Sequence, residues 1–170
     1  MDPRVVARVG LVMVSAAILQ RGIFAEFRVW NVTADVLLLV ALAAAMVAGP
    51  ERGAIVGFAA GLLVDLQVHR PFGITALTFC LAAYLLGFGE TLVVRGTRTS
   101  LMVTGFVATA LAHVGLAVLG ELVGVTAPSP ARVLTVAVVA GLWNGLLTPA
   151  AVRVMRWAWQ GSHSLRLAHR

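Results

Sequence analysis

The stretch that decides the fold of this chain is residues 49–73, GPERGAIVGFAAGLLVDLQVHRPFG. Glycine recurs there at every fourth position, at Gly53, Gly57 and Gly61, and Asp65 continues the same spacing. On an α-helix this spacing places the four residues along one slowly rotating face. A row of glycines allows the backbone of a neighbouring helix to approach closely. The pattern therefore predicts a tightly packed helix with one carboxylate near its end.

Helix-ending signals bracket this segment. Gly49-Pro50 precedes it and Arg70-Pro71 follows it. Proline disfavours a helical conformation in the residue before it and cannot continue a helix that is already running. The residues between the glycines are mainly aliphatic, which suits lipid or apolar neighbours. We therefore predict a membrane helix over about residues 53–68.

The composition extends this interpretation to the whole chain. Hydrophobic residues make up 60% of the sequence, charged residues 12%, and the mean hydropathy is +0.95. These values exclude an ordinary soluble domain. We predict an all-α integral membrane protein, one transmembrane domain over residues 1–170 with about six helices in a single bundle. The predicted spans are about 5–24, 31–48, 53–68, 71–90, 100–121 and 132–153, with a basic tail at 154–170.

The second apolar run is short. It covers residues 36–48, whereas a helix needs about 20 residues to cross a bilayer core. We expect the second helix to begin upstream, near Asn31, with Asp35 close to its outer end. Because the third run is short too, both spans should be shielded by neighbours or border a polar cavity. A helical hairpin that dips into the membrane and returns is the alternative.

The N-terminus resembles a signal peptide, because Arg4 and Arg8 precede the uncharged stretch 9–19. A cleavage signal of small residues does not follow at residues 18–21. Retention as a first membrane helix is therefore the preferred interpretation.

Arginine is distributed unequally between the two predicted sides of the membrane. With six spans, one side holds nine arginines and the other side four. The nine are Arg4, Arg8, Arg52, Arg95, Arg98, Arg153, Arg156, Arg166 and Arg170, and the four are Arg21, Arg28, Arg70 and Arg132. The positive-inside rule then places both termini in the cytoplasm. It also places Asp35, Asp65 and Glu121 toward the external side.

Asp65 is the first candidate for a site, because an ionisable group in a membrane span suggests a function. The simpler interpretation is a structural or partner-binding carboxylate at the outer helix end, solvated or paired with His69 or Arg70. We prefer that interpretation to a proton or ion relay. The glycine face is expected to serve helix packing first and partner binding second.

Two further polar residues lie within predicted spans. His113 is the deepest ionisable group, and we expect it to be neutral and hydrogen-bonded to Asn144 or a threonine. Asn144 lies in the stretch Trp143-Asn-Gly-Leu-Leu-Thr-Pro149, where its amide could satisfy backbone groups freed by Pro149 and join helices. A simple kink-stabilising role is the more conservative interpretation.

The sequence predicts neither an enzyme nor a cofactor or metal site. It contains no catalytic triad pattern, no phosphate-binding loop and no paired carboxylates on one segment. The single cysteine, Cys80, lies in an apolar run, and the four histidines are dispersed. Because the arginines are scattered between apolar runs, we expect them to contact lipid headgroups and not nucleic acid.

Whole segments of the chain resemble the MreD family of bacterial rod-shape proteins. The resemblance rests on residues 35–42, the Gly49-Pro50 pair, the glycine stretch ending at Asp65, the segment Pro71-Phe-Gly73-Ile-Thr-Ala-Leu, and residues 143–149. In the family a Pro-Asp pair usually opens the second span, whereas Ala34 stands in place of that proline here.

This resemblance implies a non-enzymatic scaffold or regulator in the peptidoglycan synthesis machinery of cell elongation, located in the cytoplasmic membrane. The implied partner is MreC, and with it the glycosyltransferase RodA, its class B penicillin-binding protein and the MreB filament, directly or indirectly. The family is also similar in fold to the substrate-binding membrane components of energy-coupling-factor transporters. A small-molecule-binding component of such a transporter is therefore the alternative. The spans carry few polar or aromatic side chains to line a ligand pocket, which favours the scaffold.

Overall fold

The computed structural model describes residues 3–22, 32, 34–67, 72–93, 97–125 and 128–160, without the side chains of residues 90–93. This part of the chain forms six helices. They are α1 (Pro3–Arg21), α2 (Val36–Ala48), α3 (Pro50–Asp65), α4 (Ile74–Val93), α5 (Arg98–Leu122) and α6 (Pro130–Trp159). The predicted all-α bundle of about six helices is thereby confirmed.

Three of the helices, α1, α5 and α6, are long and apolar enough to cross a membrane, and α2 and the segment Ile74–Gly89 of α4 are shorter apolar helices. Large apolar side chains are exposed along the outside of the bundle, among them Leu11, Leu85, Leu111 and Leu142, each at least 60% exposed. Such a surface suits lipid rather than water. The protein is therefore an integral membrane protein.

Helix α2 is the centre of the bundle. It contacts each of the other five helices, and every residue from Leu37 to Ala45 is buried. Its sequence, VLLLVALAAAMVA, is apolar on all sides, as a helix surrounded by protein requires. The expectation that the short second span is shielded by its neighbours agrees with this position.

The start of α2 differs from the prediction. The helix begins at Val36 and not near Asn31, a residue outside the described part of the chain. Its first N–H groups are satisfied by side chains. The Leu38 N–H donates to Asp35 Oδ1 at 3.2 Å, and the Leu37 N–H donates to Gln20 Oε1 of α1 at 3.1 Å. These caps allow the helix to begin inside the bundle, because a helix end without partners is costly there.

Two helical hairpins pack around α2. In the first, α3 packs closely on α4, and in the second α5 packs closely on α6. Gly49 alone separates α2 from α3, and its φ of 86° is a conformation that glycine adopts readily. Helix α1 completes the bundle against α2 and α6.

Candidate functional site

Asn144, in the middle of α6, is one of three fully buried polar residues of the described bundle, with Thr109 and Thr148. It is 0% exposed, and its Nδ2 donates to the backbone carbonyl of Asp35 at 3.0 Å and to Thr109 Oγ1 at 3.3 Å. One amide therefore joins the start of α2 to α5 and α6. The Thr148 hydroxyl, one turn along α6, donates to the Asn144 carbonyl at 2.7 Å.

This arrangement corrects the expectation for Asn144 and Pro149. Pro149 does lie inside α6, but the Asn144 amide does not serve the backbone that the proline frees. It reaches across the bundle to Asp35 instead, 109 positions earlier in the chain. The role of Asn144 is therefore to join three helices, and kink stabilisation does not describe it.

His113 lies beside this amide on α5. Its Nδ1 is 2.9 Å from the backbone carbonyl of Thr109, and since a carbonyl only accepts, Nδ1 carries the proton. The expected partner was Asn144 or a threonine, whereas this bond stays within α5 and uses the backbone of Thr109 and not its side chain. His113 Nε2 lies 3.9 Å from Asp35 Oδ2, which is an electrostatic contact and too long for a hydrogen bond.

Asp35 lies at the start of α2, as the short apolar run predicted, and this start is level with His113 and Asn144 of the neighbouring helices. His113 is nine residues from the end of α5 and Asn144 fourteen from the start of α6, about 14 Å and 21 Å along the helix axes. We call Asp35, Thr109, His113, Asn144 and Thr148 the interior polar cluster.

The cluster was only partly predictable. Asp35 directly precedes a short apolar run, and His113 interrupts a long one. Ionisable groups in membrane spans usually face the bundle interior, so each of these two could have been assigned to the interior from sequence, but not to the other. Among the described residues no group of three His, Cys, Asp or Glu could hold a metal ion. The hydrogen bonds of the cluster join α2, α5 and α6.

The glycine face of α3 is buried within the chain. A Cβ added at Gly57 would lie 2.5 Å from the Phe79 carbonyl oxygen of α4, and one added at Gly61 would collide with Ala76. A Cβ at Gly53 would lie 2.5 Å from Ala45 of α2. Since these distances exclude any side chain without movement of a backbone, the glycines serve close contact between α3 and its neighbours α2 and α4.

Asp65 fastens the other end of the same hairpin. The N–H groups of Gly73 and Ala76 donate to its Oδ2 at 2.9 and 3.1 Å. The carboxylate of α3 thus caps the start of α4, where the helix dipole also favours a negative charge. Asp65 is 4% exposed, so it is a buried anchor and not a solvated one. The suggested partners His69 and Arg70, and the predicted site residue Pro71, lie outside the described residues.

Gly73 is a turn residue in this anchor. Its φ of 101° lies in the region that glycine favours, and its N–H is one of the two donors to Asp65. The structure therefore brings Gly53, Gly57, Gly61, Asp65 and Gly73 together in one hairpin. His113 and Asn144 belong to the separate interior polar cluster.

A groove of about 660 Å³ lies between α4 and α5. Small residues line it on both helices, and bulky apolar side chains stand at its margins. The small residues are Thr78, Ala82 and Gly89 of α4 with Thr104, Ala108, Ala112 and Gly115 of α5. The exposed apolar residues are Leu81, Leu85, Val103, Val107, Leu111 and Val118. This groove could not be predicted from the sequence, because its existence depends on the spacing between α4 and α5 in the folded bundle.

The comparisons with known proteins agree with the fold. The family model of the rod shape-determining protein MreD matches residues 4–157 of the 170-residue chain. No curated protein and no solved structure gave a match to the chain. Similarity to the membrane components of energy-coupling-factor transporters therefore stays a prediction. The match extends over nearly the whole bundle, from α1 to the last turn of α6, and the chain belongs to the MreD family of rod shape-determining proteins.

Proposed function

We propose that this protein is a non-enzymatic membrane scaffold of the peptidoglycan synthesis machinery that elongates rod-shaped cells. In this proposal it binds MreC and acts with MreC on the pair formed by RodA and a class B penicillin-binding protein. Membership of a rod shape-determining family carries the proposal. The interior of the bundle supports it, since the polar groups described there fasten helices and form no catalytic set.

The groove between α4 and α5 is the proposed docking site for an apolar membrane helix of MreC. Its small residues extend from Thr78 to Gly89 on α4 and from Thr104 to Gly115 on α5, each about 16 Å along the helix. Small residues let a third backbone approach, and association of helices in lipid depends on such close contact. The exposed leucines and valines at the margins of the groove would then pack against the side chains of the docked helix.

The transporter-like alternative requires a different kind of cavity. A small-molecule site needs polar groups that converge to orient the ligand. Only two of the fifteen residues that line the groove, Thr78 and Thr104, are polar. The lining therefore favours an aliphatic occupant such as a helix over a vitamin-like molecule.

The proposed orientation places the starts of α1, α3 and α5 in the cytoplasm. The contact of Arg8 with Trp157 places the start of α1 beside the end of α6, and Gly87 packs near Pro50 at the start of α3. Arg52, Arg98, Arg153 and Arg156 lie on the same helix ends. This basic end suits the cytoplasmic side of the inner membrane.

The test of the docking site fills the groove without disturbing the bundle. A Cβ at Gly115 would meet nothing nearer than Thr78 Cγ2 at 3.9 Å, so Gly115→Leu should fold and block the groove. The matched control is Gly10→Leu on α1, where nothing lies within 4 Å. We expect co-purification of MreC to fall about tenfold with Gly115→Leu, a loss of about 1.4 kcal/mol, and to stay at the wild-type level with Gly10→Leu.

Each result has a distinct meaning. Wild-type recovery of MreC with a well-inserted Gly115→Leu protein would remove the groove from the interface. Loss of MreC only with Gly10→Leu would move the interface to α1. Complementation of cell shape by the same variants relates the binding result to rod-shape determination.

A further inference from the structure

A second surface lies where α1 packs on α6. The guanidinium of Arg8 lies over the ring of Trp157, 5.1 Å from its centroid, and Trp157 is 51% exposed. On α6, Arg153 lies one turn before Trp157 and one turn before Arg156. We call Arg8, Arg153, Arg156 and Trp157 the basic patch.

The positive charge of the basic patch is not balanced by its own helices. Neither Pro3–Arg21 nor Pro130–Trp159 contains an aspartate or glutamate. In the described part of the chain no carboxylate forms an ion pair with Arg8, Arg153 or Arg156. Arg153 and Arg156 lie one turn apart on α6 and repel each other, so an external anion would stabilise this arrangement.

Apolar surface adjoins the basic patch on both helices. Leu11, one turn beyond Arg8 on α1, is 61% exposed, and Val154, one turn before Trp157 on α6, is 45% exposed. Both helices are apolar enough to cross a membrane, so their basic ends lie where headgroups would lie. A tryptophan with an exposed ring is typical of that level. The surface thus offers cations to a headgroup and aliphatic side chains to an acyl chain.

We propose that the basic patch binds an anionic phospholipid, with its phosphate held by Arg8, Arg153 and Arg156 and its acyl chains along Leu11 and Val154. A guanidinium matches phosphate oxygens with two parallel N–H donors, which a point charge cannot do. The adjoining apolar surface favours a lipid over free phosphate. An acidic protein segment would need the cations but not the aliphatic side chains beside them.

The experiment measures quenching of Trp157 by brominated lipids in vesicles that contain the full chain. The fluorescence of Trp157 is the difference between the wild type and Trp157→Phe. We expect brominated phosphatidylglycerol to quench it at least about fivefold more effectively than brominated phosphatidylcholine at the same low fraction of the bilayer. The triple variant Arg8→Gln, Arg153→Gln, Arg156→Gln should lose this preference.

The matched control is the double variant Arg52→Gln, Arg98→Gln, which removes exposed charge at the same end of the bundle but outside the basic patch. It should keep the preference. Equal quenching by the two lipids in the wild type would overturn the proposal, and so would a preference that survives in the triple variant. Loss of the preference on addition of inorganic phosphate would show that the patch binds phosphate without selecting a lipid, which also overturns it.

Folding of the triple variant is checked by its elution from a sizing column in detergent. If it aggregates, the single variant Arg156→Gln replaces it, since Arg156 is exposed. A reduced preference in this variant supports the proposal, and an unchanged one contradicts it.

Discussion

Helix α4 has two faces lined by small residues, one packed against α3 and the other bordering the groove toward α5. On one face Ala76 and Ala83 meet Gly61 and Gly57 of α3 at backbone distance. On the other face, Thr78, Ala82 and Gly89 line a groove whose opposite side is formed by small residues of α5. The first face is closed and the second is open. Small residues therefore permit close approach of two helices, but they do not cause it.

The difference comes from what else holds each pair of helices. In the α3–α4 hairpin, Asp65 accepts from two N–H groups at the start of α4, which fixes the register of the glycines against Ala76 and Phe79. Between α4 and α5, no side-chain hydrogen bond is found among the described residues, and leucines and valines stand at the margins. The polar anchor at Asp65 therefore distinguishes the closed interface from the open one.

The surface available to a partner lies elsewhere than on the glycine face of α3. From the sequence, that face was expected to serve helix packing first and partner binding second. Because α4 and α2 already occupy that face, a partner helix cannot reach Gly53, Gly57 or Gly61 without displacing them. In the α4–α5 groove, Ala82, Gly89, Thr104 and Gly115 are partly exposed, whereas Thr78, Ala108 and Ala112 are buried at its base.

The largest expected effect is the loss of stability on Gly61→Ala. The added methyl group would collide with the backbone of Ala76, so α3 and α4 must move apart. We expect a loss of about 1–3 kcal/mol, which is typical of overpacking. The measurement is the apparent Tm in detergent, with Gly10→Ala as the control, since Gly10 has nothing within 4 Å. A Gly61→Ala protein as stable as that control would show that the face is not closed.

A smaller loss is expected on Asp65→Ala. This change removes the acceptor for the Gly73 and Ala76 N–H groups, and loss of such a cap costs about 0.5–2 kcal/mol. Asp65→Asn keeps an acceptor oxygen and should retain much of the stability. Equal Tm values for the two variants would mean that hydrogen bonding by this side chain does not hold the hairpin.

The smallest effect is expected on Gly115→Ala in the groove. The new methyl group enters open space, and alanine favours a helix over glycine by up to about 1 kcal/mol. Stability should therefore stay unchanged or rise slightly, in contrast to the same substitution at Gly61. A Tm that falls as far as with Gly61→Ala would show that the groove closes in the folded protein.

Several features of the protein follow from sequence alone. The apolar runs identify six helices in one membrane bundle, since only helices satisfy their own backbone within lipid. Their bounds lie within about three residues of the structure, except at the start of α2 and the end of α6. The family resemblance was likewise present in the glycine stretch and its neighbours, and the family match confirms it. The spacing of Gly53, Gly57, Gly61 and Asp65 indicates one helix face, because helical periodicity is local.

Other features required the tertiary structure. The sequence shows Asp35 and His113 as separate polar residues, whereas the fold brings them within 3.9 Å and joins Asp35 to Asn144. Their meeting depends on α2 starting inside the bundle, which no local pattern states. In the same way, the two faces of α4 carry similar small residues, and the sequence does not distinguish the closed face from the open one. Only the packing of three helices decided that Gly57 and Gly61 are covered while Gly115 faces an open groove.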